Sequence, residues 1–326
     1  MQDLRDAFRG SLLGTAVGDA IGRPVQGWSA ARIAREHGEL RDPVGHPRGR
    51  TTGDTQMTIA LAEWLLEHEI LDGGELARGI QRRYDPDRNY GRTTADFLRR
   101  LKGGERWDTA ASHAFARGSF GGGAAARIAP CALLFHSDRA TLERVAETSA
   151  LVTHCHPLGV AGAVLQARQI ALALENHGGV LDAIAFVVEL RSTTATIEFR
   201  QKLRAVEECL ERRASAKTVR DRLGCNATAL GSVSTALYCF LSRGQSLEEA
   251  IAFAVNLGGE AHSIGAMTGA IAGAFHGASA IPPRWLDALE RGEEGREALE
   301  RLADRLLDRW LSRKASAASS IGRAGS

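Results

Sequence analysis

Residues 256–276 read Asn-Leu-Gly-Gly-Glu-Ala-His-Ser-Ile-Gly-Ala-Met-Thr-Gly-Ala-Ile-Ala-Gly-Ala-Phe-His. The glycine pair lets the backbone turn sharply, and an acid, an imidazole and a hydroxyl follow within four residues: Glu260, His262 and Ser263. Gly265, Gly269 and Gly273 then recur every fourth position, so one helix face carries almost no side chain and a second helix can pack closely against it. The stretch reads as ligand-type residues at the start of a helix in the core of a helical domain. A tightly packed core helix with a polar cap fits the same letters.

Working outward, a chain of 326 residues buries a large core in one or two domains. Lys plus Arg number 41 against 39 Asp plus Glu, so no bulk field favours nucleic acid or a membrane surface. The five cysteines are scattered, odd in number and without a Cys-x-x-Cys pair, which argues against a disulfide framework or zinc knuckle and for a reducing compartment, the cytoplasm. No stretch approaches the ~20 consecutive apolar residues of a membrane span, and the polar N-terminus is unlike a signal peptide.

Helical periodicity dominates. It predicts helices over 4–21, 59–70, 75–83, 139–152, 157–175, 181–191, 196–212, 215–222, 230–241, 247–255 and 294–312. Period-2 patterning is almost absent, and no linker interrupts the chain before an Ala/Ser/Gly-rich tail. The expected architecture is all-α: one domain over 1–313 and a disordered tail over 314–326.

Four further segments carry candidate chemistry. Asp19 sits in an otherwise apolar, glycine-rich helix, and a buried carboxylate needs partners. Thr52-Gly-Asp-Thr-Gln-Met-Thr58 leads into a helix; its oxygens cap that helix or, together, suit a hard cation. Ser119-Phe-Gly-Gly-Gly123 sets three glycines before a helix-forming run, a turn able to offer several backbone N–H groups to a phosphate or diphosphate, although a plain flexible turn looks the same. In Thr153-His-Cys-His-Pro157 the two histidines are two apart, which suits a polar junction and ligand contact better than a metal site.

Taken together and in this order, Gly18-Asp-Ala-Ile-Gly22, Thr52–Thr58, Ser119–Pro130, Thr153-His154 and Gly258–Ala274 resemble the ADP-ribosylglycohydrolase family. The resemblance implies an all-α fold with a binuclear Mg2+ or Mn2+ site at the base of an ADP-ribose cleft. It places the metal on Thr52, Asp54, Glu260, His262 and Ser263. It places ADP-ribose on Ser119, Phe120, Gly121, Gly122, Gly123 and His154. Gln26 and Asp54 stand at the catalytic positions. The substrate it implies is an ADP-ribosylated protein or an ADP-ribose-containing small molecule, cleaved at its glycosidic bond by water.

Against the family pattern, the glutamate near the scissile bond falls on Gln26, the first Asp of Thr-Asp-Asp on Gly53, and Asp-x-Asp-Thr on Glu260-Ala261-His262-Ser263. Two acids, Asp54 and Glu260, offset half the charge of two divalent ions. A carboxamide takes no proton near neutral pH, and imidazole is a poor ligand for Mg2+. The expected function is therefore hydrolysis with a modified metal site of one or two ions, Mg2+ or Mn2+. The alternatives are a catalytically impaired ADP-ribose binder or regulatory relative, and a scaffold that keeps only the fold.

Overall fold

A computed structural model describes residues 2–68, 72–115 and 117–324, with side chains from residue 3 to residue 316 within those ranges. The described residues form α-helices and short 3-10 turns and no β-strand. In chain order, the helices that shape the candidate site are α1 (Gln2–Gly22), α2 (Gly53–Glu67), α3 (Gly123–Ala126), α4 (Pro157–Glu175), α5 (Ala229–Ser242), α6 (Ala261–His276) and α7 (Arg296–Ala324).

The partner of the bare face on α6 is α1, which carries its own glycines four apart. The two run antiparallel, Gly10 opposite Gly273, Gly14 opposite Gly269 and Gly18 opposite Gly265. A Cβ on Gly14 would lie 2.2 Å from the Gly269 carbonyl oxygen, and one on Gly18 would lie 2.0 Å from that of Gly265. Only hydrogen fits there, so the glycines set the helix separation. Ser11 Oγ donates across the seam to the Ala270 carbonyl at 3.0 Å. The consequence is positional: the C-terminal end of α1, with Asp19 and the following Gln26, lies beside the N-terminal end of α6.

Most predicted helices stand within two residues of their expected ends, among them 139–152, 157–175, 215–222 and 230–241. The differences have physical reasons. α2 begins at Gly53 rather than 59, because Gly53 through Thr58 are helical and buried although polar; residues 69–70 of the expected helix lie outside the described residues. Helices at Ala30–His37, Arg92–Lys102 and Trp107–His113, absent from the expected set, are short and carry few apolar residues. α7 extends to Ala324, through most of the segment expected to be disordered; Ala-rich sequence propagates a helix already nucleated by packing.

α4 is long and apolar enough to cross a membrane by length and composition, yet 67% of its apolar window is buried inside the fold. Gln166 within it donates to the Met267 carbonyl of α6 at 3.0 Å, as a core helix would require.

Candidate functional site

The floor of the candidate site begins with Thr52. It caps α2, its Oγ accepting from the Asp54 amide at 3.1 Å. Thr52, expected among the metal ligands, serves in this structure as the cap of α2, with one lone pair of its Oγ engaged by the backbone. Asp19 reaches across from α1 to tie down the same turn: its Oδ2 accepts from the Thr52 amide at 2.8 Å and from the Thr55 hydroxyl at 2.6 Å. From the other side, Arg88 grips Glu290 at 2.7 Å, Glu290 accepts from the Thr51 amide at 2.9 Å, and the Arg88 carbonyl accepts from the Gly53 amide at 2.7 Å. The position of Asp54 is therefore fixed by three separate parts of the chain.

Asp54 itself is buried. Ser263 Oγ donates to its Oδ2 at 2.6 Å, and His262 Nε2 stands 3.5 Å from the same oxygen. Burial raises the Asp54 carboxyl to about 6; the negative neighbours Asp19 and Glu260 push the same way, while His262 and the Ser263 hydrogen bond oppose it. Gln26 occupies the next position along the floor. Its Nε2 donates to Glu260 Oε2 at 2.7 Å, and its Oε1 accepts from the His262 amide at 3.4 Å. The Gly258-Gly259 turn makes this approach feasible. Both residues have positive φ, and a Cβ on Gly259 would lie 1.9 Å from the Cys225 carbonyl oxygen. The Gly27 amide bonds to the Gly259 carbonyl and the Gly259 amide to the Trp28 carbonyl, each at 2.8 Å.

The wall is the glycine turn. Phe120 and Ala227–Ala229 hold it, with the Ala229 amide bonded to the Phe120 carbonyl and the Gly122 amide to the Ala227 carbonyl, both at 2.9 Å. The Gly121 amide donates to Ser119 Oγ at 3.3 Å. Two of the three glycine amides expected to face an anion are thus engaged within the protein. What the turn supplies instead is room: a Cβ on Gly121 or Gly123 would lie 3.4 or 3.3 Å from His154 Nε2. His154 is buried at the end of the preceding helix, and burial, aided by the Arg127 charge, holds its pKa down at about 3. His156 caps α4 through Nδ1, which accepts from the Leu158 amide at 3.1 Å, so the second histidine of the pair is a junction residue.

Wall and floor face each other across one cleft of about 880 Å³. Gln26, Asp54, Ser119, Phe120, Gly121, Gly122, Gly123, His154, Glu260, His262 and Ser263 all line it; of the expected site residues only Thr52 does not. A third side is made by Asn89, Tyr90, Arg92, Thr93, Asp96 and Arg99, to which the sequence assigns no role. Thr93 Oγ lies 3.1 Å from Ser119 Oγ, and Tyr90 packs over Gly53, where a Cβ would lie 2.4 Å from its ring.

The family profile for ADP-ribosylglycohydrolase matches residues 1–316. The chain belongs to the ADP-ribosylglycohydrolase family. Among its relatives are an uncharacterised protein of Archaeoglobus fulgidus, 34% identical over 94% of this chain and 97% of that one, and the ADP-ribosylhydrolase ARH3 of Mus musculus, 31% identical over 88% of each. A solved structure of an ADP-ribosylglycohydrolase-related protein complex superposes with a TM-score of 0.75 at 29% identity, covering 95% of this chain and all of the other. The all-α fold is thus the family's fold.

The family is in general dependent on divalent metal, and the donor set here can be compared with that need. Among the described residues no group of three or more His, Cys, Asp or Glu side chains is arranged to hold an ion. Asp54 Oδ2 is taken by Ser263 and faced by His262, and Glu260 Oε2 is taken by Gln26. The position of an acid that would have completed the floor, Gly53, is filled by the Tyr90 ring. These residues do not supply the oxygen ligands and compensating charge of two Mg2+ or Mn2+ ions; the expectation of one or two ions is met at most in its smaller form.

Proposed function

We propose that this family member hydrolyses the glycosidic bond joining ADP-ribose to a protein side chain or to a small acceptor. The observation that carries the reading is the single cleft in which the Ser119–Gly123 turn, His154 and Glu260 converge from distant parts of the chain. Phe120 and Phe115, 36% and 42% exposed, meet edge to face at 5.5 Å at the rim and offer aromatic surface to a base. Ser119 and His154 offer polar contacts to the diphosphate and ribose.

Glu260 is the acid to which we assign proton abstraction from the attacking water. It is only partly buried, it lines the cleft, and its second oxygen is oriented by the Gln26 amide at 2.7 Å. Gln26 cannot take the proton itself, so its role is to aim Glu260. Asp54, held up at about 6 by burial, is the second acid beneath the reacting centre. No step is assigned to Mg2+ or Mn2+, because the donors present do not form their cage. The substrate is an ADP-ribosylated protein or an ADP-ribose-containing small molecule. The five free thiols suit the cytoplasm, the compartment we propose for it.

A second reading has a specific observation behind it: the floor acids are tied to neighbours within the protein, Asp54 to Ser263 and His262, Glu260 to Gln26. On that reading the chain binds ADP-ribose without cleaving it. Titration with ADP-ribose, with and without Mg2+ or Mn2+, paired with an assay for ADP-ribose released from a modified peptide, separates the two. Release that disappears in Glu260→Gln, with binding retained, is the expected result. Binding without release supports the second reading, and absence of binding overturns both.

A further inference from the structure

Behind the cleft wall lies a hydrogen-bonded row that ends on His154. Arg127 is fully buried, with Nη2 donating to the Ser149 carbonyl at 2.6 Å and Nη1 donating to Thr153 Oγ at 2.8 Å. Thr153 is also fully buried, and its Oγ lies 2.7 Å from His154 Nδ1. An arginine only donates, so the threonine oxygen accepts from Arg127. The one proton on that oxygen then needs an acceptor, and His154 Nδ1 is the acceptor beside it. Were Nδ1 protonated, two donors would point at the hydroxyl oxygen and the hydroxyl proton would be left buried and unpaired, a loss comparable to a whole hydrogen bond.

We propose that Arg127 and Thr153 are positioning residues that fix His154 as its neutral Nε2–H tautomer, so that the wall presents one permanent N–H donor beside the glycine turn. Nε2 is the ring nitrogen nearest Gly121 and Gly123, whose missing side chains leave the approach open. The buried guanidinium opposes a second proton on the ring, in agreement with the depressed pKa of His154. A neutral donor of this kind selects an acceptor oxygen, whether phosphate or ribose hydroxyl, and does so without a counter-charge. It also takes over what the Gly121 and Gly122 amides, spent on Ser119 and Ala227, do not supply. That the acceptor belongs to ADP-ribose rests on the function proposed above; the tautomer does not.

The test is carried out on the free full-length protein labelled with 15N-histidine, with His154 identified by loss of its signals in His154→Asn. Long-range proton–nitrogen spectra are expected to show Nε2 protonated and Nδ1 bare from about pH 5 to pH 8, across the range where an ordinary histidine titrates. Thr153→Val removes the relay while keeping the side-chain shape, and the Nδ1–H form is expected to appear; Thr153→Ser is expected to restore the wild-type pattern. Arg127→Met frees the hydroxyl to accept and is likewise expected to admit Nδ1–H. A protonated Nδ1 in the wild-type protein, or an unchanged pattern in Thr153→Val, overturns the proposal, and the wild-type spectrum decides it even if a variant fails to fold. ADP-ribose titration then reads the consequence: affinity about tenfold weaker in Thr153→Val and within about twofold in Thr153→Ser, the loss expected for one hydrogen bond. A changed tautomer with unchanged affinity overturns the donor role. Absence of ADP-ribose binding in the wild type, with the expected tautomer present, overturns the substrate reading and leaves the relay standing.

Discussion

The wall and the floor of the cleft are built on opposite principles. On the wall, the glycine turn and His154 are held from behind by scaffold groups, Ala227 to Ala229 on one side and Thr153 with Arg127 on the other, and their forward side faces the cleft. On the floor, the chemically active groups hold one another: Ser263 and His262 on Asp54, Gln26 on Glu260. A wall of this kind binds without rearrangement, whereas a floor of this kind must give up internal bonds before it engages an ion or a substrate. Recognition and catalysis are therefore separable here, and each side can be broken independently.

The largest effect is expected at the wall. A side chain at Gly122 would begin 2.4 Å from Ser232 Oγ, on a turn whose amide is already bonded to Ala227. Gly122→Val is expected to weaken ADP-ribose binding at least ~100-fold by calorimetry, a difference of ~2.7 kcal/mol. Retention of affinity within about threefold would move the binding surface away from this turn.

The floor is probed by returning acids to it. Gln26→Glu combined with His262→Asp puts four carboxyl groups, including Asp54 and Glu260, around one corner, where like charges repel unless a cation is present. The double variant is expected to bind Mn2+ or Mg2+ at least ~10-fold more tightly than the wild type and to melt at lower temperature when the ion is chelated. Adding Gly53→Asp is expected to help only if Tyr90 is also reduced to alanine, because the tyrosine ring lies where the new side chain must go. If the double variant gains no ion affinity, the internal bonds of the floor are not what separates it from a metal site.

A smaller effect isolates Asp54. Its folded-state pKa, about 6, is above the ordinary unfolded value, so the folded protein holds the proton more tightly than the unfolded chain does. Between roughly pH 4 and 6 stability falls as pH rises, and above that window the buried carboxylate is a standing penalty. Asp54→Asn removes the charge and keeps an oxygen for the Ser263 hydroxyl. It is expected to melt ~2–4 °C above the wild type at pH 8, with the gap closing near pH 4. A gap independent of pH would assign the stabilisation to something other than the buried charge.

Much of this organisation was legible before any coordinates. The four-residue glycine spacing in 256–276 calls for a close helical partner, and the structure supplies it in the matching spacing of Gly10, Gly14 and Gly18. The five motif segments identified the family, and every expected site residue except Thr52 lines the cleft. What stayed hidden depends on contacts between distant residues of ordinary type. Asp19 was visibly odd, but nothing in its neighbourhood named Thr52 and Thr55 as its partners. Tyr90 over Gly53 and the Arg127–Thr153–His154 row join segments whose motifs do not say which residues meet across them. The Gly121 and Gly122 amides looked free because a glycine run does not show which carbonyl will be placed opposite it.

Thr52 supplies the smallest and most discriminating change. As a cap it satisfies the Asp54 amide through Oγ, while its own amide serves Asp19 whatever the side chain. Thr52→Ala therefore removes one capping bond and no more. The expected cost is ~1 kcal/mol, seen as a lower denaturant midpoint with unchanged slope, with ADP-ribose affinity within about twofold of the wild type. A metal ligand would behave differently, since deleting its oxygen would weaken Mn2+ binding more than ~10-fold at little cost to stability in the ion-free protein. Because Thr52 is the one expected ligand that does not line the cleft, the second outcome would mean that the floor opens and rearranges when an ion arrives. The first outcome would establish that the wall and floor differ in the resting protein as they do here, one open to the cleft and the other closed on itself.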